Sequence, residues 1–444
     1  MIFRQRGARI IGSVLLAAAS AAACTHSGSA GPRASSPTGV ASRSLSGAHV
    51  HVLGLWSGPE FDSFVTVKSA WENGTGGIVD WEATQDLPDV LDAHIRDGKP
   101  PDIAILPNLG LMQQLAKAGT LVPLTAVLDM NQVKKDYAPA WIELGSYHGN
   151  PYGIFYKVTN KATVWYSPAA FKANNYETPK TWNDLIALAD KMVADHRTPF
   201  SVVAANGPAS CWPLTDWISE IVLNNCGPQL YDRWIAAEIP WTDACIRQSF
   251  GMFDKIVQTK GYVLGGAQRI LSTADANGAD PLYTKPPTAY MYYLASFAQA
   301  FIASAYPNLN PGPDYGSFAF PTIKPQYRGA VTVGSDIVVM VRDTPAARSF
   351  MAYLAGARAQ EAWIGLGGFT SVNRSVPLGT YRDPVARTVA AELTSAKVSR
   401  FSAGDMMPPT VQKAWWQAML QLVTDPRKLD SILDSLTSIA HSAR

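Results

Sequence analysis

Residues 49–119 read HVHVLGLWSGPEFDSFVTVKSAWENGTGGIVDWEATQDLPDVLDAHIRDGKPPDIAILPNLGLMQQLAKAG, and the fold class is decided there. His49 to Trp56 alternates polar and apolar, then turns continuously apolar. That is a strand entering a core, ended by the turn Ser57-Gly58-Pro59. Glu60 to Glu72 reads as a helix with Phe61, Phe64, Val65 and Ala70 on one face. Gly77 to Trp81 is a second strand. Leu87 to Asp97 is helical and closed by Gly98. Pro101-Asp102 leads into a third, all-apolar strand, Ile103 to Leu106. Gly110 to Ala118 is helical again, closed by Gly119. This βαβαβα order predicts a mostly parallel sheet covered on both faces. Such sheets bind ligands at the carboxyl ends of their strands. Here those ends are the loops Ser57–Glu60 and Glu82–Gln85, and Asn108.

Outward from that stretch, residues 160–320 are rich in helix and aromatics. Val331 to Val341 returns as an apolar strand interrupted by Gly334-Ser335-Asp336. Helices are expected at 345–356 and 359–366, then a turn over Gly365–Gly368, and helix through 384–444. No repeat of 20 to 50 residues is present. A length of 444 residues predicts two or three domains, or two lobes sharing the chain. A hydrophobic share of 47% is enough for a packed core. Lys and Arg number 37 against 35 Asp and Glu, so no basic excess points to nucleic acid.

Residues 1–23 are read as an export signal. Arg4, Arg6 and Arg9 precede a short apolar run and three alanines, too short for a lasting membrane span. Small residues immediately before Cys24 resemble a bacterial lipobox, although Ala21 stands where Leu is most usual. In that pattern Cys24 is lipidated, with palmitate-type chains, and becomes the new N-terminus. Removal of the signal leaves a net charge of −1. Residues 24–47 are Ser, Gly, Ala and Pro with little apolar bulk: a tether with a mean reach of roughly 25 Å. No later stretch holds 18 consecutive apolar residues.

Three cysteines follow Cys24. They lack metal-site spacing, and the seven histidines are scattered, so no metal is expected. Outside the cytoplasm one disulfide is expected. A helix over Pro213–Asn225 would hold Cys211 and Cys226 roughly 20 Å apart, beyond disulfide reach. Cys226 with Cys245 is the better pairing.

Catalytic signatures are missing: no Gly-x-Ser-x-Gly, P-loop, Gly-x-Gly-x-x-Gly or His-Glu-x-x-His occurs. Nothing asks for a cofactor. A glycosidase needs two opposed carboxylates, and Glu60, Asp80, Glu82, Asp216 or Asp336 would serve. Among so many acids that signal is weak.

Several segments, in order, resemble the extracellular solute-binding protein family 1, the sugar-capturing components of ABC importers. They are the ATVWYSPAAFKANNYETPKTWNDL of residues 162–185, the PDIA of 101–104, and the PLTDW of 213–217 with EIPWTD at 238–243. GSFAFP at 316–321, Gly334-Ser335-Asp336, residues 346–376 and MMPPTVQKAWW at 406–416 complete the set. PLTDW with EIPWTD looks like the α-glucoside-binding subgroup. The resemblance covers residues 49–440. It implies a periplasmic-binding-protein-like type II α/β fold, with two lobes and a ligand cleft between them. The expected lobes are 48–157 plus 325–372, and 158–324 plus 373–444, with crossings near 153–160, 320–330 and 370–380. It also implies a carbohydrate ligand, a membrane permease with a separate ATPase, no chemistry of its own, a location outside the cytoplasm on a lipid anchor, and a monomer.

A sugar presents an apolar face and a rim of hydroxyls, so aromatic planes and hydrogen-bonding groups are the candidates. In the first lobe these are Gly58, Glu60 and Asn108, with Asn160 at the crossing. In the second they are Ser210, Trp212 and Asp216 around a helix start, then Trp241, and Tyr293, Ser296 and Phe297. Ser335 and Asp336 interrupt an apolar strand, where a charge is costly unless paired. Gly368-Phe369 forms a turn with a possible stacking face. Of Trp415 and Trp416, one is expected to face the cleft and the other the core. Two alternatives stand beside this reading. One is an exported glycan hydrolase. The other is a binder of a different polar solute, such as a polyol, glycerol phosphodiester or amino sugar. A phosphate would want Arg, and the strand-end loops carry none.

Overall fold

In the computed structural model, which describes residues 45–443, β1 (His49–Gly54) is flanked by β2 (Ile78–Ala83) and β3 (Ile103–Leu106), both parallel to it. Helices α1 (Pro59–Thr75), α2 (Leu87–Arg96) and α3 (Leu109–Lys117) follow the three strands in turn. The signal segment, Cys24 and most of the tether lie outside the described residues. No described helix is long and apolar enough to cross a membrane.

The α1 face differs from the expected one. Phe64, Val67 and Trp71 are buried, while Ala70 is exposed. The spacing of three and four is kept, but it is phased on the large indole of Trp71, which buries far more surface than a methyl.

Two long antiparallel strands, Gly153–Asn160 and Ala330–Met340, pair along their length, with an irregularity between Asp336 and Ile337. The second also pairs with β3, and its first residues pair in parallel with Val398–Phe401. The first sheet therefore runs Val398–Phe401, Ala330–Met340, β3, β1, β2, with Gly153–Asn160 on the far side of Ala330–Met340. Val398–Phe401 falls inside a region expected to be wholly helical. Its four residues are too few for alternation to register.

A second sheet of four strands runs Gly316–Ala319, Thr163–Tyr166, Met291–Tyr293, Phe200–Ser201. The long helix Trp212–Cys226 is buried along nearly its whole length. Two α/β lobes, each with its own sheet, are thus joined by crossing strands.

Tryptophans anchor both cores. Trp56 packs edge-on to Trp363 at 4.7 Å, beside Phe64 and Trp81. Trp234, Trp241 and Trp415 form a second cluster with centroids 4.8–5.4 Å apart. Cys226 and Cys245 are joined, with Cα atoms 5.9 Å apart. Cys211 is a free, buried thiol whose pKa burial pushes up to about 12.

Candidate functional site

A cavity of about 480 Å³ opens between the lobes against the crossing strands. The first lobe supplies the strand-end loops: Ser57–Glu60 after β1, Gln85–Pro88 after β2, and Pro107–Asn108 after β3. Side chains alternate along a strand, so Lys157 and Thr159 share one face of Gly153–Asn160, and both line the cavity together with Lys161, which follows the strand directly. Gly334, Ser335 and Asp336 line it from the second crossing strand. The other lobe adds Asn206, Trp212, Asp275–Asn277, Phe297, Phe301, Asp405, Gln412, Lys413 and Trp416, among others.

Charges in the wall are organised around lysines. Lys157 is bonded to Glu60 and lies 3.6 Å from Asp336 Oδ2, which also accepts the Trp56 indole N–H at 2.7 Å. Burial pulls the Lys157 ammonium down, but Glu60 and Asp336 outweigh it and its pKa stands above the ordinary value. The same ammonium sits over Phe297 at 5.2 Å. Lys161 is shared between Asp216 at 3.0 Å and Asp405 at 2.8 Å, and sits over the Trp212 ring at 5.4 Å. Burial raises the Asp405 carboxyl to about 6 against the pull of Lys161, with repulsion from Asp216 adding to it. At the rim, Lys413 reaches across to Asp86 and Asp89 of the first lobe, at 3.4 and 2.6 Å.

Of the residues singled out from sequence, Gly58, Glu60, Asn108, Trp212, Phe297, Ser335, Asp336 and Trp416 line the cavity. Asn108 is nevertheless fully engaged. It accepts the Leu111 N–H at 2.6 Å, capping α3, and donates to the carbonyls of Gly404 and Met407 at 3.1 and 3.4 Å. A Cβ on neighbouring Gly110 would stand 2.5 Å from the Met407 oxygen, so α3 meets the other lobe backbone to backbone.

The rest lie behind the wall. Asn160 ends the crossing strand, bonded to Glu392 at 3.0 Å, and its N–H is received by Ser296 Oγ. Ser210 turns back onto Gly207 and Asn206. Asp216 is buried under Lys161 and Ser402. Tyr293 packs on Trp217 at 4.4 Å and donates to the Asp216 carbonyl. Trp241 and Trp415 belong to the tryptophan cluster. Phe369 packs between Tyr156 and Trp363, and Gly368 sits in a left-handed turn at φ 69°. A large aromatic in a sequence does not say which side of a helix or turn is wet, and these went to the core.

Sequence reasoning missed Lys157, Lys161, Asp275, Asp405 and Lys413. For the first two a signal was present: lysines four apart, one in and one just past a strand buried at every position. A buried lysine must have carboxylate partners.

Two lobes hinged on antiparallel strands, around a cavity of hydroxyl-bonding groups and aromatic faces, define a solute receptor of the two-lobed kind. The chain belongs to the bacterial extracellular solute-binding proteins, whose family model matches residues 57–361. It is 32% identical over 84% of its length, and 88% of the other chain, to the osmoprotective compounds-binding protein of Synechocystis sp.. It is 30% identical to the alpha-glucosides-binding periplasmic protein of Rhizobium meliloti, over 85% and 84% of the two chains. Among solved structures, a bacterial solute receptor with an exclusive preference for β-D-galactopyranose superposes with a TM-score of 0.78 at 20% identity, covering 89% of this chain and 99% of that one. Family and neighbours are extracytoplasmic solute receptors, and the chain is a receptor, not an enzyme.

Proposed function

We propose that the protein captures a carbohydrate, of the α-glucoside or related di- and oligosaccharide class, and delivers it to the permease of an ABC importer driven by a separate ATPase. The observation that carries this reading is the composition of the cavity wall. Carboxylates held in place by lysines accept sugar hydroxyls, and Trp212, Phe297 and Trp416 offer aromatic planes to ring faces. The names of the 32% and 30% identical relatives support a small polar or glucosidic solute. The lobes are taken as 48–157 plus 325–372, and 158–324 plus 373–444, the protein as a monomer, and Cys24 as the lipidated N-terminus holding it to the membrane. Mass spectrometry of membrane-extracted protein tests the anchor: an unmodified N-terminus sinks it.

Thermal melting of the mature protein against maltose, trehalose, sucrose, larger α-glucosides and glucosylated polyols tests the ligand class. A sugar at a hundred times its dissociation constant stabilises by about 2.7 kcal/mol, a shift of a few degrees. No shift with any sugar, on protein stripped of co-purified ligand, sinks the carbohydrate reading and leaves the receptor.

A further inference from the structure

Charge is unevenly matched in the cavity wall. Among the described residues it carries Glu60, Asp86, Asp275, Asp336 and Asp405 against three lysines, with no arginine or histidine. Each lysine is already shared between two carboxylates: Lys157 by Glu60 and Asp336, Lys161 by Asp216 and Asp405, Lys413 by Asp86 and Asp89. Asp275 pairs with no cation among the described residues. Its carboxylate accepts from neutral donors, the Ala276 N–H at 2.8 Å and the Asn206 side-chain amide at 3.4 Å among them.

Asp275 and Glu60 belong to opposite walls. Glu60 lies in the first turn of α1, which follows β1 of the six-stranded sheet. The turn Asp275–Asn277 is tied to the four-stranded sheet by Tyr292, whose hydroxyl donates to the Asp275 carbonyl at 2.8 Å. The helix Ala298–Ala305 packs against both, so the two carboxylates face one enclosed space. Burial, with Glu60 adding repulsion, raises Asp275 to about 6. Bringing the lobes together therefore leaves an unbalanced negative charge, which a solute of opposite sign would neutralise.

We infer that the cavity takes a glycoside carrying a protonated amine, its ammonium paired with Asp275 opposite Glu60 and its ring against Phe297 and Trp212. This rests on the carbohydrate reading and narrows it. Neutral sugars still bind, through hydroxyls donated to the same carboxylates. Phosphorylated sugars and uronates are repelled, because no wall lysine is free to receive them.

The test is calorimetric titration of the mature protein at pH 8 with trehalose and maltose, each against its 6-amino-6-deoxy and 6-phosphate counterparts. An alkyl amine is charged at this pH and remains so at pH 5. At least one amine should bind about tenfold tighter than its parent, the worth of one charge-assisted hydrogen bond. Neither phosphate should bind. The amine preference should be lost in Asp275→Asn, whose cooperative melting at or above the wild-type temperature would report an intact fold. It should also shrink in wild type at pH 5, where Asp275 takes up a proton. The titratable groups around it, the Glu60 carboxylate from α1 and the neutral Tyr292 phenol from the strand beneath, supply no cation to replace it. Amines binding no better than their parents, or a preference that survives Asp275→Asn, overturns the inference while the carbohydrate reading stands. Binding by none of these nor by any neutral sugar overturns both.

Discussion

Lys161 shows how one side chain holds a wall together. It is buried, yet two carboxylates from separate helices converge on it. Lys161→Met would leave Asp216 and Asp405 buried without a counter-charge. Such losses cost about 3–5 kcal/mol. The cost should be larger at pH 8 than at pH 5, because both carboxyls are shifted up by burial and recover by taking protons. Urea unfolding of mutant and wild type at the two values checks this; equal losses would count against it. Trp56→Phe is the milder probe. It keeps the ring among Phe64, Trp81 and Trp363 but removes the N–H that orients Asp336. Ligand affinity should fall about tenfold with stability down by about 2 kcal/mol, since one hydrogen bond to a charged group is lost. Unchanged affinity in titration would remove Asp336 from the recognition. Trp415 and Trp416 mark the limit of sequence at this scale. Adjacent and chemically identical, one is fully buried among tryptophans and the other lines the cavity. Nothing local to the pair decides which; the partner helices do.

The elements were more legible than their faces. Strand–helix alternation over residues 49–119 is written in apolar runs and glycine stops, and β1–α3 appear within a few residues of the expected bounds. Val398–Phe401 was not legible, because its pairing partner lies some 68 positions earlier in the chain, at Ala330–Val333. The Cys226–Cys245 bridge ties the end of the helix Trp212–Cys226 to the start of Ala244–Gln258. Replacing both cysteines by serine should cost about 3 kcal/mol, the chain-entropy value for a loop of this size, seen as a lower melting temperature. No change would mean that the surrounding contacts, Asn225 with Ser249 among them, already hold the two helices. Gly110 governs another junction. Gly110→Val places carbon against the Met407 carbonyl and should weaken ligand binding by forcing α3 away from the opposite lobe. The rim pair Lys413–Asp89 is half-exposed and counts for far less. Lys413→Ala should change affinity no more than about fivefold.

Over the whole molecule, buried acids outweigh paired ones in one respect. Burial raises Asp275 and Asp405 to about 6, and Glu220 and Glu392 to about 7. Unfolded, all four ionise near pH 4. Between pH 4 and 7 the native state therefore binds more protons, and stability falls as pH rises through that window. The ligand-free melting temperature should drop between pH 5 and pH 8; a flat or rising profile would contradict it. Acids with lowered values, such as Asp89 and Asp343, act only below about pH 4 and do not offset this. Cys211 offers a separate reading of the whole fold. Its thiol is buried at the head of the helix Trp212–Cys226 and is protonated at any working pH. With Cys24 capped by lipid or replaced, it is the single sulfhydryl left to an alkylating reagent. Labelling at Cys211 then proceeds only as often as the lobe opens, so the rate of alkylation with time counts spontaneous unfolding events, and its slowing by a sugar measures how firmly that sugar holds the receptor shut.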